Sequence, residues 1–154
     1  MSAVKAIPDG YTRVTPYLCV NEAEAAIEFS AAVFGATERM RLPTPDGKIG
    51  HSEVQIGDGP IMLSDEFPDW GVTAPPTVGG SPVTIGVDAE DVDAAYEAAI
   101  AAGATGTMPV KDQFYGDRSC RFIDPFGHKW DVATHIEDVP PQEIQERMKA
   151  EFGG

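Results

Sequence analysis

His51 and Glu53 stand two residues apart in the stretch GHSEVQIG, with Gln55 two further on. In an extended strand alternate side chains share a face, so this spacing puts an imidazole beside a carboxylate. That pairing suits general acid–base chemistry, with Glu53 as the base and His51 as its partner. The competing reading is an ordinary exposed strand face on an acidic protein. The other two of the three histidines, His128 and His135, flank Asp131 in DPFGHKWDVATH. Their types invite a metal site, but their spacing argues against a local one. Trp130 and Val132 mark the core-facing parity, and His128 shares it, so His128 cannot join Asp131 on one face of a regular strand. His135 has the parity of Asp131 but lies about 13 Å along the strand, at ~3.3 Å per residue.

Other side chains carry weaker chemical signals. In YGDR, residues 115–118, Arg118 can fork onto an anionic ligand, or it can tie down a loop together with Asp117. Tyr115 and Phe114 can cover a ligand or close the edge of a core. Asp124-Pro125-Phe126-Gly127 has the composition of a turn, with Asp capping and Gly taking positive φ. His128 beside it reads as a structural histidine. Asp65 and Glu66 read as a solvated strand end. Trp70 reads as a lid or as an anchor for a dimer contact.

The elements that must position these residues are repeated. GATERM begins at Gly35 and GATGTM at Gly103, 68 residues apart. Each follows an Ala-rich helical segment, and each of those follows a short apolar run. In the first copy Asn21, with Glu24 three residues on, reads as a capping box. Ala26, Ile27, Ser30, Val33 and Phe34 form the buried face, and Gly35 ends the helix. In the second copy Asp88 or Asp91 starts the helix, Val92, Ala95, Tyr96 and Ala99 face inward, and Gly103 ends it. Strand-like pairs follow: KIGHSEVQIG with PIMLSDE across a Gly-Asp-Gly turn, and DRSCRFID with KWDVATH across PFGH. Val54, Ile56, Ile61 and Leu63 should face the helix, leaving His51, Glu53, Gln55, Met62 and Ser64 on the other side. Each copy therefore reads β-α-β-β-β. Residues 10–66 form one module and 82–136 the other, joined by a Pro- and Gly-rich linker, 67–81. The tail 139–154 starts a peripheral helix at Pro140 and Pro141, with Arg147 and Lys149 near its end.

A length of 154 residues fits one domain made of such modules. The net charge of −14 disfavours nucleic acid and anionic membranes as partners, both of which attract clusters of Lys and Arg. Two cysteines, Cys19 and Cys120, lie in strand-like runs and read as reduced, buried thiols. The N-terminus lacks the apolar core of a signal peptide, and no run is long enough to span a membrane, so a cytoplasmic location is expected.

Paired βαβββ modules, helices ending in FGA and AGA, and a late DPFGHKW resemble the vicinal oxygen chelate superfamily. Its members include glyoxalase I, extradiol dioxygenases and the bleomycin- and fosfomycin-resistance proteins. GHSEVQIGDGPIMLSDE and YGDRSCRFIDPFGHKWDVATHIED resemble its PhnB-like branch. The resemblance covers roughly residues 10–138. It implies an α+β fold whose curved sheets form a cup, and a homodimer. It also implies metal ligands on the first and fourth strands of each module, positions that fall here on Thr15, Met62, Thr84 and Asp131. Only Asp131 is a good oxygen ligand, and a thioether is soft, so no metal and no other cofactor is expected at those places.

Thr15, Met62, Ser64, Thr84, Tyr115, Arg118 and Asp131 are then candidates for lining a ligand site, with Glu53 and His51 for its chemistry. Three readings follow. The first is a protein that holds a small polar or anionic metabolite in the cup and transforms it without a metal at the usual position. The second is a drug-binding, sequestering protein, which needs a pocket and no catalytic group. The third is a metal-dependent lyase or isomerase with relocated ligands such as His51, Glu53 and Asp131.

Overall fold

The computed structural model describes residues 3–153. The chain divides into two compact units between Gly80 and Ser81. In the first, β1 (Tyr17–Val20) leads into α1 (Ala23–Phe34), then β2 (Thr37–Pro43), β3 (Ile49–Ile56) and β4 (Gly59–Asp65). In the second, β5 (Thr84–Asp88) leads into α3 (Val92–Ala101), then β6 (Thr105–Asp112), β7 (Asp117–Ile123) and β8 (Lys129–His135). Both units are βαβββ, as the repeat predicts, and the fold is α+β. The sheets have orders β1-β4-β3-β2 and β5-β8-β7-β6, with the first and last strands of each unit parallel. Neither sheet is closed.

The apolar alternation builds the cores. In the first unit Leu18, Val20, Val54, Ile61 and Leu63 meet Ala26, Ile27 and Val33 of α1, all nearly solvent-free. In the second Cys120, Phe122, Trp130 and Val132 meet Val92, Ala95 and Ala99 of α3. Each large apolar side chain so buried stabilises the unit by about 1.5–3 kcal/mol before entropy is counted. The hairpin between β3 and β4 turns at Gly57, φ 56°, with Ile56 opposite Gly59.

The start of α1 departs from the sequence expectation. Asn21 and Glu24 make no capping box. The cap residue is Glu22, whose side chain caps nothing. The carboxylate of Asp65, at the end of β4, supplies the cap instead. Its Oδ1 accepts from the Ala23 amide at 2.8 Å and its Oδ2 from the Ile49 amide at 2.7 Å. Asp65 is thus no solvated end but the clasp joining α1, β3 and β4. A cap supplied 42 residues away along the chain leaves no local sequence pattern. The start of α3 is local, with Asp91 accepting from the Ala94 amide at 3.0 Å.

The segment 67–81 packs into the first unit as far as Gly80. It holds a 3-10 turn, Pro68–Trp70, a bridge between Phe67 and Val72, and the single-turn α2 (Pro75–Val78). Glu66 accepts from the buried Ala74 amide at 2.7 Å. In the second unit α4 (Pro141–Glu151) has no buried residue and is held by Arg147, which reaches Glu137, Glu143 and the Phe114 carbonyl. Among the described residues no helix is long and apolar enough to cross a membrane.

Candidate functional site

On the face of the first sheet turned away from α1, β3 does bring His51 and Glu53 together, with Nε2 of His51 2.8 Å from Oε2 of Glu53. The chain of contacts runs further than the sequence indicates. Nδ1 of His51 lies 2.7 Å from the hydroxyl of Tyr17 on β1, and the Tyr11 hydroxyl donates to Oε1 of Glu53. Arg39 of β2 stacks 4.4 Å from the centre of the Tyr11 ring and is held by the Gly10 carbonyl at 3.0 Å and Gln55 at 3.1 Å. The result is a continuous line, Tyr11–Glu53–His51–Tyr17, drawn from the N-terminal segment, β3 and β1. Tyr11 and Tyr17 carried no motif.

Glu53 is the buried member, with only 4% of its surface exposed. Burial pushes its carboxyl up, but the hydrogen bonds from Tyr11 and His51, and the charges of His51 and Arg39, more than offset that and hold it below the ordinary carboxylate value. An ionised Glu53 can only accept, so Nε2 of His51 carries the proton toward it. When the imidazole is neutral, Nδ1 is then left to accept from the Tyr17 hydroxyl. The Glu53 bond, with burial, raises the Tyr11 phenol, which keeps that hydroxyl a donor.

Tyr17 also lines a pocket of about 510 Å³. Phe67 and Trp70, stacked at 5.6 Å and 25°, also line it, as do the hydroxyl-bearing Thr44, Ser64 and Thr73. No charged side chain is among the lining residues. Trp70 is 81% exposed, so one face of the indole remains available. Ser64, buried, lines this pocket as well. Cys19 also lines the pocket and is half-buried, not buried as expected. Burial, with the charges of Glu66 and Asp65, pushes its thiol up to about 11, which keeps it protonated and inert. Met62 lies opposite both Tyr17 and Glu53 in the sheet, and Thr15 precedes β1 by two residues.

The second unit disperses its candidates. Arg118 forks onto Asp93 at 2.8 and 2.9 Å and also donates to Asp112 at 2.9 Å, so carboxylates of the same unit already occupy its guanidinium. Asp131 takes Nε of Arg121 at 2.8 Å, and Thr84 opens β5 opposite Lys129. Tyr115 lines a separate hollow of about 570 Å³ with Asp117, His135 and Asp138. Asp124 folds its turn as expected: Oδ1 accepts from the Phe126 and His128 amides, both at 2.9 Å, and Oδ2 from the Trp130 indole at 2.8 Å.

A βαβββ pair of this order is shared with known proteins. The family model of the glyoxalase/bleomycin resistance protein/dioxygenase superfamily matches residues 10–132. The chain belongs to that superfamily. It is 40% identical to an uncharacterized protein of Mycobacterium bovis over 144 residues, 92% of this chain and 95% of the other. TioX from Micromonospora sp. ML1 is 25% identical with a TM-score of 0.63, over 81% of this chain and 99% of TioX. A PhnB protein from Bacillus cereus shares the fold, with a TM-score of 0.63 at 16% identity over 80% of this chain and 99% of the other.

The metal that some members of the superfamily carry does not fit the residues present. Thr15 and Met62 in the first unit and Thr84 in the second are poor donors for a hard divalent ion. The one carboxylate, Asp131, is held by Arg121. His51 and Glu53, the relocated alternative, spend both nitrogens and both oxygens on Tyr17, Tyr11 and each other. Among the described residues no three His, Cys, Asp or Glu side chains gather closely enough to hold a metal ion.

Proposed function

We propose that the protein holds a small, uncharged molecule with a flat apolar face in the pocket of the first unit. The observation that carries this reading is the make-up of the wall: a stacked Phe67–Trp70 pair, Tyr17, three hydroxyl side chains, and no charged lining residue. An anion would need a cation or converging amides, and Arg118, the anion binder suggested by the sequence, is already paired twice over. A flat ring laid on the exposed face of Trp70 gains both burial and stacking. The ligand is therefore a polar but neutral molecule rather than an anionic one. The PhnB-like placement within the superfamily is supported by the two stretches around residues 50–66 and 115–138. The homodimer implied by that resemblance is supported by Met40 and Leu42, exposed on edge strand β2. A protein that only sequesters its ligand is the second reading, favoured by the exposure of Trp70.

The test is a fluorescence titration with 2-indanone, a flat neutral ketone. Saturable quenching that disappears in Trp70→Phe is expected, because the other tryptophan, Trp130, is buried in the second unit. Indane-2-carboxylate, its anionic counterpart, should bind at least 10-fold more weakly, a difference of about 1.4 kcal/mol. No saturable quenching, or tighter binding of the carboxylate, contradicts the reading.

A further inference from the structure

We propose that Tyr17, backed by His51 and Glu53, is the catalytic residue of a proton-transfer site that enolises a neutral ketone held against Trp70. This rests on the reading that the pocket takes an uncharged flat molecule, and it adds an activity to it. Tyr17 is the residue shared by the pocket wall and the hydrogen-bonded line: it lines the cavity, and its hydroxyl lies 2.7 Å from Nδ1 of His51. His51 is not part of the wall and reaches the cavity through Tyr17.

The chemistry follows from the direction of the hydrogen bonds. Buried Glu53 accepts from Nε2 of His51, which leaves Nδ1 as an acceptor for the Tyr17 proton. When a C–H bond beside the carbonyl of the ketone breaks, its electron pair passes into the carbonyl as an enolate. The proton goes to the Tyr17 oxygen while the phenol's own proton moves to Nδ1. The resulting imidazolium stands 2.8 Å from an ionised carboxylate, which favours it. Returning the proton to the same carbon restores the ketone, and returning it to the enolate oxygen gives the enol. No electrons leave and no co-reactant is consumed. Ser64 and Thr73 line the same pocket, and their hydroxyls are the donors available to a developing enolate oxygen, whereas the Thr44 hydroxyl is already engaged by Asp46. His51, Glu53 and Tyr11 act as positioning residues, fixing the tautomer and holding the charge.

The experiment follows deuterium uptake by 2-indanone in D2O by proton NMR, with binding followed in parallel by tryptophan quenching. The expected result is saturable exchange faster than buffer. Tyr17→Phe should lower it about 100-fold or more while binding persists, the scale of a lost general acid–base. Glu53→Gln should lower the rate at saturating ketone while binding read by quenching persists, and Glu53→Asp should recover part of that rate. A merely structural loss would weaken binding along with the rate and would not be recovered by Glu53→Asp. His135→Asn, in the other unit, should leave the exchange unchanged. Binding without exchange above buffer, or exchange that survives Tyr17→Phe, overturns the inference and leaves the binding reading standing. Failure to bind overturns both.

Discussion

At the scale of single residues, the decisive quantity is what each charge already touches. His135 illustrates it. Its Nδ1 meets Asp117 at 2.8 Å and its Nε2 meets Asp138 at 2.7 Å, and these two hydrogen bonds raise its pKa above the ordinary histidine value. A raised folded value means the imidazolium is favoured by folding. Its stabilising effect is therefore complete below the unfolded value of about 6.5 and is lost as pH rises through the folded one. Unfolding followed from pH 6 to 9 should show stability falling over that window, and His135→Asn should flatten the fall. Asp124 is the structural counterpart. It is buried and serves two amides and the Trp130 indole. Asp124→Ala leaves those donors without a partner and should cost about 2–4 kcal/mol in a denaturant titration.

At the scale of elements, the periodic features were legible in the sequence and the long-range ones were not. Strand parity placed His51 beside Glu53, and the Asp91 cap, the Gly57 turn and the Asp124 turn are all local, so their residue types announce them. The cap of α1 is not local. Asp65 reaches it from the end of β4, and the sequence instead offered Asn21. Asp65→Ala should therefore cost about 1–2 kcal/mol, and Asn21→Ala should stay within about 0.5 kcal/mol. The reverse order would restore the capping box. The corner before β7 makes a similar point. Gly116 has φ 103°, and a Cβ there would meet the Glu137 carbonyl oxygen at 2.2 Å. Gly116→Ala should cost on the order of 2–3 kcal/mol, seen as a lowered midpoint in thermal unfolding. Tyr11 and Tyr17 escaped notice for the same reason as Asp65. Their partners lie 42 and 34 residues away, and a tyrosine on an apolar strand looks like core until its hydroxyl is given a partner.

At the scale of the whole molecule, duplication gave two copies of one framework and divergence gave them different contents. By strand register, Ser119 and Arg121 in the second unit stand where His51 and Glu53 stand in the first. The Ser119 hydroxyl is buried without a hydrogen-bond partner, and Arg121 is paired with Asp131. The His–Glu pair on this strand is thus confined to one copy. The charge is also a property of the whole: 25 acidic against 11 basic residues leaves −14, and self-repulsion of that size weakens the folded state. Raising the ionic strength from about 0.01 M to 0.15 M shortens the screening length from about 30 Å to 8 Å and should raise the melting temperature. The account as a whole depends on the direction of one hydrogen bond inside the first unit. Nitrogen-15 NMR of the His51 ring near pH 8, with and without saturating 2-indanone, reads that direction. The account predicts a proton on Nε2, none on Nδ1, and ring signals that move when the ligand binds. A proton on Nδ1, or His51 signals indifferent to bound ligand, would contradict it.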